Sequence, residues 1–307
     1  MEKVIVVIGP TSVGKTKMGV ALAKKFNGEV ISGDSMQIYK QMDIGTAKVT
    51  EEEKEGIIHH CVDILNPDET YSVHDFQQTV RKKITEITQR GHVPIIVGGT
   101  GLYIKAALYD YQFDEMENDH HAINEKYKDY TNEQLHDHLK SIDEESAKIL
   151  HFNNRRRVLR AIEIYETTGK RKSEMLEEQE HICLYDAYFV GLTLPRDVLY
   201  ERINKRVDVM MENGLKEEMD CLYSQGHTKN HQSMKAIGYK EWFDYYDHQI
   251  DLNDVLELIK KHSRQYAKRQ YTWFKNQFDV HWYDVNLENF EQTIEQVTDD
   301  IEKILKV

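Results

Sequence analysis

Val4-Ile5-Val6-Val7-Ile8-Gly9-Pro10-Thr11-Ser12-Val13-Gly14-Lys15-Thr16 is the stretch that decides the fold. Its first five residues are β-branched with no polar interruption, the pattern of a strand buried on both faces. The next eight fit G-x-x-x-x-G-K-[ST] at every fixed position. Met18, Leu22 and Phe26, with Val20, Ala21 and Ala23, then mark an amphipathic helix ending at Asn27-Gly28. Strand, glycine-rich loop and helix stand in the order a phosphate cradle needs. The loop backbone wraps the phosphates, and the amides at the helix start point at the anion. The expected diphosphate or nucleotide site is Gly9, Pro10, Thr11, Ser12, Val13, Gly14, Lys15 and Thr16. Lys15 sits on phosphate oxygens and the Thr16 hydroxyl holds Mg²⁺. The motif does not say what happens to the phosphates.

Working outward, Glu29-Val30-Ile31-Ser32 reads as a second strand running into Gly33-Asp34-Ser35. Strand C-terminal ends line the ligand crevice of an open α/β sheet, so Asp34 is expected to face the cradle. Its roles there are Mg²⁺ ligation, acceptance of a proton or hydrogen bond from substrate, or the plainer one of a turn or helix-capping carboxylate. A third strand, Val93 to Val97, ends in Gly98-Gly99-Thr100-Gly101 rather than in an acid, so backbone there comes close to something and a hydrolytic motor is disfavoured. Further strands at about 187–194 and 279–284 alternate with helices, which gives an α/β fold with a parallel sheet of the P-loop NTPase type. From 113 to 183 the pattern is polar and helical, with Leu135, Leu139, Ile142, Ile149, Val158 and Ile162 as its apolar positions. The expected organisation is a catalytic core of 1–112 and 184–307 around an all-helical insertion domain of 113–183.

The 307 residues carry 40% apolar side chains, enough for a sizeable core, and four prolines, too few for disordered linkers. No apolar run approaches the length of a membrane span, and Val4–Ile8 is too short for a signal segment. Three isolated cysteines support neither a disulfide framework nor a zinc site, so a cytoplasmic, reducing location is expected. His59-His60 and His120-His121 lack partners at ligand spacing. Forty Lys and Arg against 53 Asp and Glu leave a net charge of −13, which disfavours bulk affinity for nucleic acid. Local clusters run against that balance. Lys260, Lys261, Arg264, Lys268, Arg269 and Lys275 lie in a stretch without Asp or Glu, and Lys261, Arg264, Lys268, Tyr271 and Lys275 share one helical stripe. Val255, Leu256, Ile259, Tyr266, Trp273 and Phe274 share another, expected to pack on the core. Arg155, Arg156, Arg157 and Arg160, with Lys170 to Lys172, form a second cluster. Each cluster is a surface for RNA phosphates or a solvated helix face.

Several blocks in order along the chain resemble the bacterial tRNA dimethylallyltransferases, also called isopentenyl-tRNA transferases. They are Gly9–Thr16, Gly33–Tyr39, Met42–Lys48, His59–Ile64, Gly98–Tyr103, Asn154–Tyr165, Thr168–Lys170, Lys235–Glu241, and Arg264–Gln270 with Thr272–Phe274. The resemblance implies transfer of a dimethylallyl group from its diphosphate to the exocyclic amine, N6, of the adenosine 3′-adjacent to the anticodon. The tRNAs concerned read codons beginning with U. It implies Mg²⁺, a cytoplasmic monomer and a cradle that holds the prenyl diphosphate. It gives Asp34, Lys15, Thr16 and Arg206 catalytic parts. RNA contacts fall on Asp34, Ser35, Met36, Gln37, Thr100, Arg155, Arg156, Arg157, Arg160, Lys235, Arg264 and Lys268, with the anticodon stem-loop against the insertion. Two stretches depart from the family pattern: Asp114 to His121, and the Asn153-Asn154 turn.

On that reading the cradle amides, Lys15 and Mg²⁺ stabilise charge on the departing diphosphate. Arg206, four residues after Arg202 on one helix face, is a second clamp, unless the pair is solvated beside Glu201 or Asp208. Asp34, kept ionised near Lys15, takes the proton of the amine, with Ser35 and Thr11 orienting. The target base must be extruded from its stack. Three other classes compete: a small-molecule kinase with ATP on the loop, an adenylate isopentenyltransferase with free nucleotide as acceptor, and an RNA-binding nucleotide switch without turnover.

Overall fold

Alternation along a single strand divides the core in two. In β1 (Lys3–Ile8), Ile5 and Val7 point into one apolar cluster, and Val4, Val6 and Ile8 into the other. All five are fully buried, as a central parallel strand covered on both faces requires. The computed structural model describes residues 1–111, 120–177 and 181–305.

From β1 the chain enters α1 (Lys15–Lys25) and returns through β2 (Gly28–Ser32), α2 (Glu51–Lys54), β3 (His59–His60), α3 (Val73–Gln89), β4 (Val93–Val97) and α4 (Gly101–Leu108). After five helices of the insertion, namely α5 (His120–Lys126), α6 (Asn132–Ile142), α7 (Glu144–Ile149), α8 (Arg155–Thr168) and α9 (Lys172–Glu177), it re-enters the sheet at β5 (Asp186–Thr193). The remainder is α10 (Arg196–Glu212), α11 (Leu215–Ser224), α12 (Trp242–Tyr246), α13 (Leu252–Gln277), β6 (His281–Asp284) and α14 (Phe290–Leu305). The six strands lie in the order β3-β2-β4-β1-β5-β6, and every pairing is parallel. β1 pairs with β4 on one side and β5 on the other, with Ile5 opposite Ile95 and Tyr188. The α/β class with a parallel sheet stands as expected.

The strand missing from the sequence reading is β3. Two histidines carry no alternation to detect. Their place on the sheet edge comes from pairing with Val30 and Ile31, and from the 2.6 Å contact between His60 Nε2 and the buried Glu29 carboxylate, which Arg90 also binds at 2.7 Å.

The chain divides into two compact units, Met1–Tyr109 with Cys183–Val307, and Asp110–Ile182. All regular structure of the smaller unit among the described residues is helical. Its own apolar cluster is built on Ile123, Tyr127, Leu135, Leu139, Val158 and Ile162. The buried Asp143 ties α7 to α9, accepting the N–H groups of Ser146 and Ser173, each at 3.0 Å. Ile149 was expected in this core and is 81% exposed, while its neighbour Leu150 is buried. Ile149 ends the six-residue α7 facing outward, and the chain leaves the helix at Leu150 in an extended conformation that turns this side chain inward. Residues Asp114 to Asp119, and the side chains of His120 and His121, lie outside the described residues.

Candidate active site

Three parallel strands release their chains at one end of the sheet, and the loops that follow β1, β2 and β4 meet there. Gly14 takes a left-handed φ of 105° that only glycine adopts freely, turning the chain into α1. Lys15 Nζ lies 2.7 Å from the Pro10 carbonyl. Thr16 stands in the first turn of α1. Val13 gives the loop its backbone alone, because its side chain is fully buried in the core.

A cavity of about 340 Å³ opens beside this loop, and Thr11, Ser12, Asp34, Ser35, Met36, Arg206 and Lys235 line it. Residues far apart in sequence are therefore brought together as expected. Apolar side chains complete the lining, with Ile203, Val207 and Met210 from α10 and Ile259 from α13. Arg202 Nε donates to the Ser12 carbonyl at 3.0 Å, and Arg206 Nη1 to Thr11 Oγ1 at 3.5 Å. Both arginines thus hold the cradle, and the alternative of a solvated pair with Glu201 or Asp208 does not apply. Asp208 instead pairs with Lys260 at 2.8 Å.

The turn-carboxylate reading of Asp34 is half of the truth. Asp34 Oδ1 accepts the Met36 N–H at 2.8 Å, while the residue also lines the cavity. Burial raises its pKa above the usual carboxylate range, against the lowering effect of the Met36 N–H and Lys15. That departs from the expectation that Lys15 would hold it ionised: desolvation of the anion outweighs the nearby cations. Burial likewise lowers Lys15 to about 7, helped by Arg206, and lowers Arg206 itself. Burial disfavours the charged form of each of these groups.

Thr100 accepts the Ser35 N–H on its Oγ1 at 3.1 Å, joining the loops after β2 and β4. Gln37 is turned inward. Its Oε1 accepts from Ser32 Oγ at 3.0 Å and its Nε2 reaches the Thr46 and Ala47 carbonyls at 3.4 and 3.3 Å. It braces the 46–47 loop.

The two basic clusters fare differently. On α13, Lys261, Lys268, Tyr271 and Lys275 are exposed, whereas Arg264 donates to Asn204 on α10 and leaves the free stripe. In the insertion unit Arg156 and Arg157 are exposed. Arg155 donates to the Tyr130 and Tyr127 carbonyls at 2.7 and 2.6 Å, and Arg160 pairs with the buried Glu163 at 2.8 Å. Arg155 and Arg160 therefore help hold their own unit together.

Sequence reasoning missed Tyr266, Arg269 and Gln270 as site residues. Tyr266 and Arg269 line the cavity, and burial followed by the charge of Asp34 pushes the Tyr266 phenol up to about 12. The Arg269 guanidinium lies 5.8 Å from the Tyr266 ring centre. Gln270 Oε1 accepts the Thr11 N–H of the cradle at 2.9 Å. The available signal was a buried glutamine set among apolar positions of α13.

A model of the IPP transferase family matches residues 37–277. The chain belongs to this family. Among curated IPP transferase relatives, it is 54% identical to the tRNA dimethylallyltransferase of Bacillus cereus strain AH187 over 287 residues, covering 92% of this chain and 90% of the relative. The enzyme of that name from Bacillus anthracis is also 54% identical, with 91% of its length covered. The solved tRNA isopentenylpyrophosphate transferase of Bacillus halodurans is 44% identical with a TM-score of 0.75, covering 100% of this chain and 99% of that one. A eukaryotic dimethylallyltransferase solved acting on tRNA is 33% identical with a TM-score of 0.86, covering 99% of this chain and 79% of that one. Membership makes the chain an enzyme of prenyl transfer, and the kinase, free-nucleotide and non-catalytic readings are not favoured. No helix among the described residues is long and apolar enough to cross a membrane.

Proposed function

We propose that the chain transfers a dimethylallyl group from dimethylallyl diphosphate to N6 of the adenosine 3′-adjacent to the anticodon, in tRNAs reading codons beginning with U, and releases diphosphate. The observation that carries this reading is the shared cavity, lined by the phosphate cradle, Arg206, the Asp34 carboxylate and apolar side chains of α10 and α13.

The N6 lone pair forms the new C–N bond at C1 of the donor as the C1–O bond breaks, and the bonding electrons leave with the diphosphate. Lys15, Arg206 and the cradle amides stabilise that charge as it develops. Asp34 accepts the proton that N6 loses, and its burial-raised basicity suits a base acting as the bond forms. Ile203, Val207 and Met210 exclude water from an allylic centre that would otherwise hydrolyse.

Among the described residues no group of three or more His, Cys, Asp or Glu forms a cage for a metal. The Thr16 hydroxyl, in the first turn of α1 beside the cradle, is the group that would hold Mg²⁺ arriving with the donor's phosphates. Held there with the donor, the ion would supply positive charge that stabilises the leaving diphosphate. The exposed cations Lys235, Lys268, Arg156 and Arg157 supply RNA phosphate contacts, with the insertion unit against the anticodon stem-loop. A monomer working in the cytoplasm, where its tRNA is found, is what the family resemblance implies.

The test is mass spectrometry of an unmodified anticodon stem-loop incubated with protein, Mg²⁺ and dimethylallyl diphosphate. A gain of one dimethylallyl group on the adenosine 3′ of the anticodon is expected. No gain on stem-loop or full-length tRNA would overturn the reading.

A further inference from the structure

Gln270 is only 5% exposed and sits on the inner face of α13, one turn beyond Tyr266. Both ends of its carboxamide are engaged. Oε1 accepts the Thr11 N–H at 2.9 Å and Nε2 donates to the Gly99 carbonyl at 2.9 Å. The glycine-rich loop before α4 is shaped to permit this. A Cβ at Gly99 would lie 2.1 Å from Gln270 Nε2, and one at Gly101 would lie 2.1 Å from Trp273 Cε3. Two glycines thus let one helix face press on the loop at Gln270 and Trp273. The Tyr266 hydroxyl adds a third contact, 3.3 Å from the same Gly99 carbonyl.

The Thr11 bond withdraws a loop amide from the anion that such amides usually face. One ligand contact is given up for a fixed loop. Past Gly99 the chain reaches Thr100, whose Oγ1 accepts the Ser35 N–H beside Asp34. Bonded contacts therefore run without a break from the diphosphate cradle through Gln270 to the loop that holds the base.

We infer that Gln270 is a positioning residue that fixes the spacing between the diphosphate cradle and the Thr100–Ser35 loop, so that C1 of the donor and N6 of the acceptor meet in line. This rests on the transfer reaction proposed above. A misplacement of about 1 Å costs on the order of a hundredfold in rate, so the loss belongs in the chemical step rather than in substrate binding.

The experiment is single-turnover transfer to the stem-loop with both substrates saturating, scaled to the concentration of competent sites found by donor titration. Gln270→Met keeps the volume and loses both hydrogen bonds. Gly99→Ala attacks the same junction from the other side, and serves if the first variant fails to fold. Each should transfer about 10- to 100-fold more slowly than wild type, with affinities for stem-loop and donor within about threefold. Gln270→Glu keeps the acceptor for Thr11 but loses the donor to Gly99, and should recover part of the rate. Variants that transfer at the wild-type rate per competent site, with only a lowered melting temperature, would show Gln270 to be mere scaffold and overturn the inference. Failure of the wild-type protein to transfer at all would overturn the proposed function instead.

Discussion

The two faces of α13 use polar side chains in opposite ways. Inside, Tyr266 and Gln270 are locked against Gly99 and Thr11, next to the desolvated Asp34 and Lys15. Outside, Lys261, Lys268 and Lys275 stand in water. Interactions on the inner face are shielded from salt and act through geometry, whereas those on the outer face are screened within about 10 Å at 0.1 M salt. The insertion unit repeats the lesson on a single helix, where Arg155 is turned into its own unit and Arg156 faces solvent. Neighbouring cations of the same type thus belong to different kinds of function.

Substitutions on the two faces should separate cleanly. The largest effect is expected for Asp34→Ala, which should lower single-turnover transfer by roughly 10²–10⁴-fold while stem-loop binding and its salt dependence stay as in wild type. A fully active Asp34→Ala enzyme would remove the base from the inner face. Lys15→Ala should slow transfer by about 10²–10³-fold, with weaker donor binding in calorimetry and no change in RNA affinity.

The pH dependence of donor binding sharpens the same side of the comparison. Lys15 is lowered to about 7 in the free enzyme, and a bound diphosphate favours its charged form. Below pH 7 the ammonium is already present and affinity should be flat. Above pH 7 the free enzyme loses a proton that the complex keeps, so affinity should fall by up to about tenfold per pH unit. Affinity that rises with pH would contradict this.

On the outer face, Lys268→Glu should weaken stem-loop binding several-fold near physiological salt. It should also reduce the slope of log affinity against log salt by about one, with donor affinity unchanged. The smallest effect is the contrast within α8. Arg156→Ala should act only through salt-dependent RNA binding, and Arg155→Ala should destabilise the insertion unit by about 1 kcal/mol, read as a shift in its thermal unfolding.

The phosphate loop and its strand and helix were legible because they are local: one fixed spacing between one buried strand and one amphipathic helix. The sheet class followed from strands at intervals, except β3, whose two residues carry no pattern and are held by a neighbour's register. The partition of Arg155 from Arg156 depends on which way the start of α8 faces, and that of Ile149 from Leu150 on where α7 ends, and adjacent positions cannot reveal either. Gln270 was hidden for a different reason. Its partners lie 259 and 171 residues away, and in sequence it only interrupts an apolar stripe. The glycines of 98–101 did announce a close approach, but the helix that makes it was visible only in three dimensions.

The pairing of β1 with β5 has a consequence for how the protein is born. The strand that leads into the phosphate loop, Lys3–Ile8, lies far ahead in the sequence of one of its two neighbours, which begins at Asp186. Until then β1 has a bare edge, and an edge of this kind invites pairing with other chains. The helical insertion, which has a core of its own, can fold within that interval. Closing the sheet is therefore a late event dominated by contacts distant in sequence, and slow by that topology. A nascent chain stalled before Asp186 leaves that edge exposed.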